Sequence, residues 1–205
     1  MRPAASCLCP KEPPMETRTR IVLLMHPKEY RREKCGTGRL ACLNLRNSEI
    51  IPGVAFDREA RVRALIDDPL NYPVLLYPGP RAMNLSEGEF PLADLGGRRL
   101  VVFLVDSTWS CSKTVLRQSP GLLELPQLKF EPRTLSRWII KRQPRDYCLS
   151  TIESIHELLI ALERAGIDSY PDKERLLSVF AAMQDYQIER AEGRGRPRYK
   201  RINDR

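Results

Sequence analysis

With 205 residues and 34 Lys or Arg against 26 Asp or Glu, net charge +8, this chain has room for one hydrophobic core and a surface suited to a polyanionic partner. Its 42% hydrophobic and 29% charged content is that of a soluble globular protein. No apolar stretch approaches the ~20 residues that cross a bilayer, the start lacks the apolar segment of a secretory signal, and six irregularly spaced Cys do not form a small secreted scaffold. A cytoplasmic chain with reduced thiols is expected.

Residues 1 to 18 are Pro-rich and read as an irregular segment. Thr19 to Met25 reads as a strand ending at His26-Pro27, after which the charged stretch Lys28 to Lys34 leads into a Gly36-Thr37-Gly38 turn. Leu40 to Asn47 has helical spacing, Val54 to Phe56 reads as a short strand, and Arg58 to Ile66 as a helix with Ala60, Ala64, Val62, Leu65 and Ile66 inward. Pro69 and Pro73 lead into a buried strand at Val74 to Tyr77, and 80–98 reads as a surface loop. Leu100 to Val105 is the most apolar run in the chain. With no polar alternation it predicts a strand buried on both faces in a parallel sheet, followed by a helix from Trp109 to Gln118.

Pro120 and Pro126 frame a loop before a strand at Gln127 to Phe130. Leu135 to Arg142 predicts a helix, with Arg133, Arg137 and Lys141 as a basic stripe at four-residue intervals beside Trp138 and Ile139. Ser150 followed by Glu153 is a capping box opening an amphipathic helix, with Ile152, Ile155, Leu159 and Leu162 on one face and Gly166 beyond its end. The last helix runs from Asp172 to Ala191, with Leu176, Leu177, Phe180 and Met183 as its apolar side. This alternation argues for an α/β fold with a mostly parallel sheet and flanking helices. From Arg194 to Arg205 six Lys or Arg meet one Asp, a basic tail expected to be disordered and either solvated or in contact with RNA.

Open parallel sheets place ligands at the carboxyl ends of their strands. The end of the Leu100–Val105 strand presents Asp106, Ser107, Thr108 and Trp109 together. An acid and two hydroxyls before a helix are also the ordinary vocabulary of an N-cap, and Trp an ordinary core filler. The Gly-x-Gly at Gly36 to Gly38 lies too far beyond its strand to be a dinucleotide fingerprint and reads first as a tight turn. His26 before Pro27 reads as a turn residue, and His156 flanks the apolar face of its helix as a surface or packing residue. The free amides at the helix start near Ser150 could receive an anion.

Asp106-Ser107-Thr108-Trp109 after a hydrophobic strand resembles the signature of the DTW-domain family. Other segments are similar to that family in the same order. Cys7-Leu8-Cys9 resembles half of its four-Cys zinc knuckle, and Leu24 to Glu29 its His-Pro-x-Glu element. Gly36-Thr37-Gly38-Arg39-Leu40 resembles its Asn-Thr-Gly-Arg-Leu, with Gly36 in place of Asn. Leu76-Tyr77-Pro78-Gly79 is similar to its Pro-rich turn, and Tyr147 to Glu153 to its Ser-Thr-x-Glu element. The resemblance implies a SPOUT-related fold with a possible C-terminal trefoil knot, over a catalytic domain at 19–192 between the 1–18 segment and the 193–205 tail.

It also implies transfer of the 3-amino-3-carboxypropyl group from S-adenosylmethionine (SAM) to N3 of a tRNA uridine. SAM would be held by Leu76, Tyr77, Pro78, Gly79, Ser107, Thr108, Trp109, Leu149, Ser150, Thr151 and Glu153. Asp106 would be the base, its pKa raised beside the apolar strand. His26, Arg39, Arg133, Arg137, Lys141, Arg194, Arg196 and Arg198 would meet RNA. Zinc is not expected, because two thiolates do not close a tetrahedral site; either the chain begins too late to include the first pair or that pair has been lost. An rRNA aminocarboxypropyltransferase, a SAM-binding RNA module and a knotted RNA methyltransferase stay open as alternatives. No obligate protein partner is expected.

Overall fold

The apolar run Leu100 to Val105 is a strand buried on both faces, and the rest of the fold is arranged around it. The computed structural model of the protein describes residues 10, 12–32, 36–141 and 148–193. The strands are β1 (Arg20–Met25), β2 (Ser48–Pro52), β3 (Asn71–Leu76), β4 (Met83–Asn84), β5 (Arg99–Asp106) and β6 (Gln127–Lys129). They form one sheet of six in the order β2-β1-β5-β3-β6-β4, with every pairing parallel. The helices are α1 (Pro27–Arg32), α2 (Thr37–Asn44), α3 (Ala60–Asp67), α4 (Leu92–Leu95), α5 (Trp109–Gln118), α6 (Pro120–Glu124), α7 (Thr151–Arg164) and α8 (Arg175–Glu192).

Because successive side chains alternate, each central strand feeds two cores. Ile21, Leu23, Val102 and Leu104 pack under α2, α7 and α8, against Leu40, Ile152, Ile155, Leu159, Phe180 and Met183. Val22, Leu24, Val101 and Phe103 face the other way, against Val62 and Leu65 of α3, Val115 of α5 and Leu122 of α6. Burying a side chain such as Phe103 contributes roughly 1.5–3 kcal/mol, and truncating it to Ala costs about 3–5 kcal/mol. The connection after β1 runs through α2 to β2, while the one after β5 runs through α5 and α6 to β6 on the opposite side. Between β1 and β5 the connections therefore diverge, opening a crevice at the carboxyl ends where Met25 and Asp106 are register partners.

The structure moves several expected boundaries. The strand expected at Val54 to Phe56 is β2 at Ser48–Pro52, an edge strand paired only to β1, whose Ser and Glu disguise it. Phe56 is instead a core plug whose backbone amide donates to Ser119 Oγ at 2.9 Å. The helix expected at Leu40 to Asn47 starts earlier, at Thr37, because Gly36 is its N-cap rather than part of a turn. In α3 the buried residues are Val62 and Leu65, whereas Ala60 and Ala64 face solvent.

Three segments differ in kind. Residues 80–98 are not a plain surface loop: they hold β4, a 3-10 turn at Leu85–Glu87 and α4, and they bury Ala82, Leu85 and Phe90. The segment between Pro120 and Pro126 is α6, with Pro120 at the first helical position, where its missing N–H costs nothing. No helix forms over 135–141. Backbone groups there are satisfied by buried side chains instead: Glu153 accepts from the Arg137 amide, and Gln184 accepts from the Ile139 amide at 2.7 Å and donates to the Arg137 carbonyl at 3.0 Å. A segment whose groups are met this way has no need of i→i−4 bonds. Arg133, Arg137 and Lys141 consequently make no helical stripe. Among the described residues no helix is long and apolar enough to cross a membrane.

Candidate active site at the carboxyl edge of the sheet

Asp106 ends β5 with its side chain on the α2 and α7 side, and it does not cap the following helix, whose N-cap is Thr108. Its Oδ1 accepts a hydrogen bond from Thr151 Oγ1 at 2.7 Å, across 45 positions of sequence. Its Oδ2 lies against Gly38, where a Cβ would stand 2.0 Å away. The amino ends of α2 and α7 thus both close on one carboxyl group. The backbone carbonyl of Asp106 accepts from the His26 amide at 3.3 Å, joining the ends of β1 and β5. Burial pushes the Asp106 carboxyl above its ordinary range, the Thr151 hydrogen bond opposes that, and nearby Glu29 adds to it. Cys42 on α2 is pushed up to about 11 by its burial, so it stays a thiol.

Beside this carboxyl a cleft of about 450 Å³ opens at the carboxyl ends of β3, β5 and β6, in the size range of small-molecule sites. Leu75, Leu76, Tyr77 and Pro78 form one wall, Leu104, Val105, Ser107, Ser112 and Leu116 the next, and Leu128 to Phe130, Pro132, Cys148, Leu149, Thr151 and Ser154 close it. The walls are apolar and carry hydroxyls from Ser107, Ser112, Thr151 and Ser154; Ser107 Oγ and Ser112 Oγ lie 2.9 Å apart. Thr151 belongs to both places, lining the cleft while its hydroxyl holds Asp106.

Of the residues picked out by sequence, Leu76, Tyr77, Pro78, Ser107, Leu149 and Thr151 line the cleft. Gly79 sits behind it, buried against Gln127, whose Oε1 would be 1.9 Å from a Cβ there. Thr108 is exposed at the start of α5. Trp109 opens α5, and its side chain lies outside the described part of the structure. Ser150 and Glu153 are buried in a closed capping box, with Glu153 Oε2 accepting from the Ser150 amide at 2.8 Å and from Ser136 Oγ at 2.9 Å. Those two residues build the wall and hold the 133–141 segment rather than facing the cleft.

Among the basic residues, Arg39 stacks on Tyr30, 4.3 Å from the ring centre, and donates to the Tyr30 carbonyl. Arg133 donates to the buried Glu157 at 3.0 Å, so part of its charge is already matched. Arg137 and Lys141 are exposed on the same strapped segment, Lys141 lying 5.8 Å from the Trp138 ring. His26 follows β1, its Nδ1 accepting from the Lys28 amide at 3.1 Å. Arg194, Arg196 and Arg198, like Cys7, Cys9, Cys35 and Tyr147, lie outside the described residues. No group of three or more His, Cys, Asp or Glu that could hold a metal occurs among the described residues.

His156, read as a surface or packing residue, is buried; its Nδ1 meets Tyr170 Oη at 3.2 Å, and burial lowers its pKa. Sequence reasoning missed Ser112, Lys129, Phe130 and Ser154 as lining residues. Ser112 and Ser154 stand one helical turn or less beyond recognised motifs, a spacing that could have found them. Lys129 could have been found as the last residue of a parallel strand.

The DTW domain family model matches residues 1–188. A tRNA-uridine aminocarboxypropyltransferase 2 from Drosophila melanogaster is 31% identical over 169 residues, covering 79% of this chain and 64% of that protein. The Mus musculus protein of the same name is 30% identical over 192 residues, 92% of this chain and 62% of its own length. From Arabidopsis thaliana, tRNA-uridine aminocarboxypropyltransferase A is 27% identical over 212 residues, 91% of this chain and 78% of that protein. This chain therefore spans less than two thirds of the length of both animal relatives. No solved structure matches it.

Proposed function

The chain belongs to the DTW-domain family, and from that membership we propose that it transfers the 3-amino-3-carboxypropyl group of SAM to N3 of a tRNA uridine, releasing 5'-methylthioadenosine. The observation that carries the reading is the pairing of an apolar, hydroxyl-lined cleft with a half-buried carboxyl at its edge, linked by Thr151. The cleft suits a nucleoside: aliphatic walls and Tyr77 for a flat base, hydroxyls for polar edges, and a size adequate for a drug-sized ligand. The donor residues would be Leu76, Tyr77, Pro78, Ser107, Leu149 and Thr151, with Gly79, Thr108, Ser150 and Glu153 shaping the loops behind them. Trp109 remains part of the proposed donor site through its place in the motif.

In the reaction, N3 of uridine loses its proton as it bonds to the γ-carbon of the methionine chain. The carbon–sulfur bond breaks and its electron pair returns to sulfur, giving the neutral thioether. Three carbons on the sulfonium are open to attack, so placement in line with N3 selects the one that moves. Asp106 is the proposed proton acceptor. A carboxyl raised by burial is a better match for this work than an ordinary Asp, and Thr151 fixes its orientation. His26, Arg39, Arg137, Lys141 and the tail arginines Arg194, Arg196 and Arg198 are proposed to meet tRNA phosphates, with Arg133 partly committed to Glu157. We place the protein with tRNA in the cytoplasm.

The test is the identity of the adenosine product after incubation with SAM and tRNA. Methylthioadenosine equimolar with a modified uridine supports the proposal; S-adenosylhomocysteine would replace it with methyl transfer.

A further inference from the structure

The cleft holds one charged side chain among its described lining residues, Lys129, in walls otherwise made of apolar and hydroxyl groups. Lys129 ends β6, the strand next to β3, and is half-buried. Among the described residues its ammonium makes no ion pair or hydrogen bond. A Lys that loses part of its hydration without gaining a partner costs free energy, so a half-buried Lys lining an apolar cleft, with no partner among the described residues, is suited to an anion that arrives later.

We propose that Lys129 is the counter-charge for the α-carboxylate of the donor's amino-acid chain. The inference rests on SAM being the donor, as proposed above. In that molecule the adenine and ribose are neutral, the sulfonium and amino group are cationic, and the carboxylate is the single anion. One Lys in the cleft therefore complements one group of the ligand and repels the two cationic ones. The carboxylate lies on the chain that is transferred, so Lys129 fixes the end of that chain while the apolar walls fix the nucleoside. Held at both ends, the ligand has few ways to turn its sulfonium, and the γ-carbon is the one left to meet Asp106 and the uridine. Lys129 acts by binding and orientation, and no proton passes through it. After transfer the carboxylate stays with the uridine, and methylthioadenosine keeps only the contacts of the apolar walls, so the by-product is the more weakly held of the two adenosine compounds.

Calorimetric titration of the full chain and its Lys129→Met variant with SAM, S-adenosylhomocysteine and methylthioadenosine tests this without relying on turnover. The first two ligands carry the carboxylate and the third lacks it. The variant should bind SAM and S-adenosylhomocysteine about 10- to 100-fold more weakly, the range expected for a lost hydrogen bond to a charged group, with methylthioadenosine within about twofold of wild type. Lys129→Arg, which keeps the charge, should recover most of the loss. Binding of methylthioadenosine also reports that the cleft of the variant is intact. Equal weakening of all three ligands would overturn the assignment in favour of an adenosine contact or a collapsed wall. Unchanged binding of all three would overturn it by placing the ammonium away from the donor. If wild type binds none of the three, the donor assignment itself fails and Lys129 falls with it, an outcome distinct from the other two.

Discussion

Replacing Gly38 by Ala adds one methyl group beside the proposed centre. The new Cβ would stand 2.0 Å from Asp106 Oδ2 and 2.9 Å from both Asp106 Cγ and Leu23 Cδ1. Ordinary separations exceed 3 Å, so the carboxyl must move by about 1 Å or more, or α2 must lift from the sheet. Two effects of opposite sign act on stability. Ala for Gly in a helix is worth up to about 1 kcal/mol, while forcing a methyl into a packed site costs typically 1–3 kcal/mol. The second wins, because Asp106 sits on a central strand and is held by Thr151, leaving a net loss of about 1–2 kcal/mol. In an Asp106→Ala background the two Asp106 atoms are gone and Leu23 Cδ1 at 2.9 Å is the one of the three still in the way, so Gly38→Ala should cost markedly less than it does in wild type. Urea unfolding of the four proteins gives the coupling energy directly, expected at about 1–3 kcal/mol. Turnover of Gly38→Ala alone should fall on the order of 10²-fold, the usual cost of misplacing a reacting group by 1 Å. Additive stabilities, or full turnover in Gly38→Ala, would refute the contact and its importance.

Other expectations follow from the same geometry. Asp106→Asn keeps the acceptor for Thr151 but takes no full proton: turnover should drop on the order of 10²–10⁴ with SAM affinity unchanged, and near-normal turnover would remove Asp106 as the base. Because the folded carboxyl titrates above its unfolded value, wild type loses stability as pH rises through that higher pKa, so the Asn variant should be the more stable of the two at neutral pH by thermal melting. His156 works in the other direction. Its folded pKa is lowered by burial, with Glu157 raising it and Arg133, Arg137 and Glu174 also in range, so the unfolded chain takes up the proton first and stability declines as pH falls below about 6.5. Urea titrations of His156→Asn at two pH values should show a smaller decline; an equal one would contradict the assignment. Glu153→Ala strips the Ser136, Arg137 and Ser150 donors of their acceptor, so a loss of about 1–3 kcal/mol and faster hydrogen exchange at the Arg137 amide are expected.

The parallel sheet was readable because both of its core strands are continuous apolar runs, and α7 because Ser150, Glu153 and Gly166 mark its two ends. Asp106 was readable as a candidate because it is an acid at a strand end. Its partners were not, since Thr151 and Gly38 reach it from 45 positions after and 68 before, and no periodicity encodes such a meeting. Edge strand β2 and the short elements of 80–98 were obscured by polar residues and Gly. The 133–141 segment misled because helical spacing of Arg133, Arg137 and Lys141 is a local pattern, while the buried Glu153 and Gln184 that hold its backbone lie on α7 and α8. Tertiary hydrogen bonds overrode a local preference there.

The measurement that bears most directly on the central claim uses SAM labelled separately in its methyl carbon and in its carboxyl carbon, incubated with this chain and tRNA. The carboxyl label should enter the RNA at a uridine and the methyl label should leave in methylthioadenosine. Methyl label in the RNA would contradict the claim.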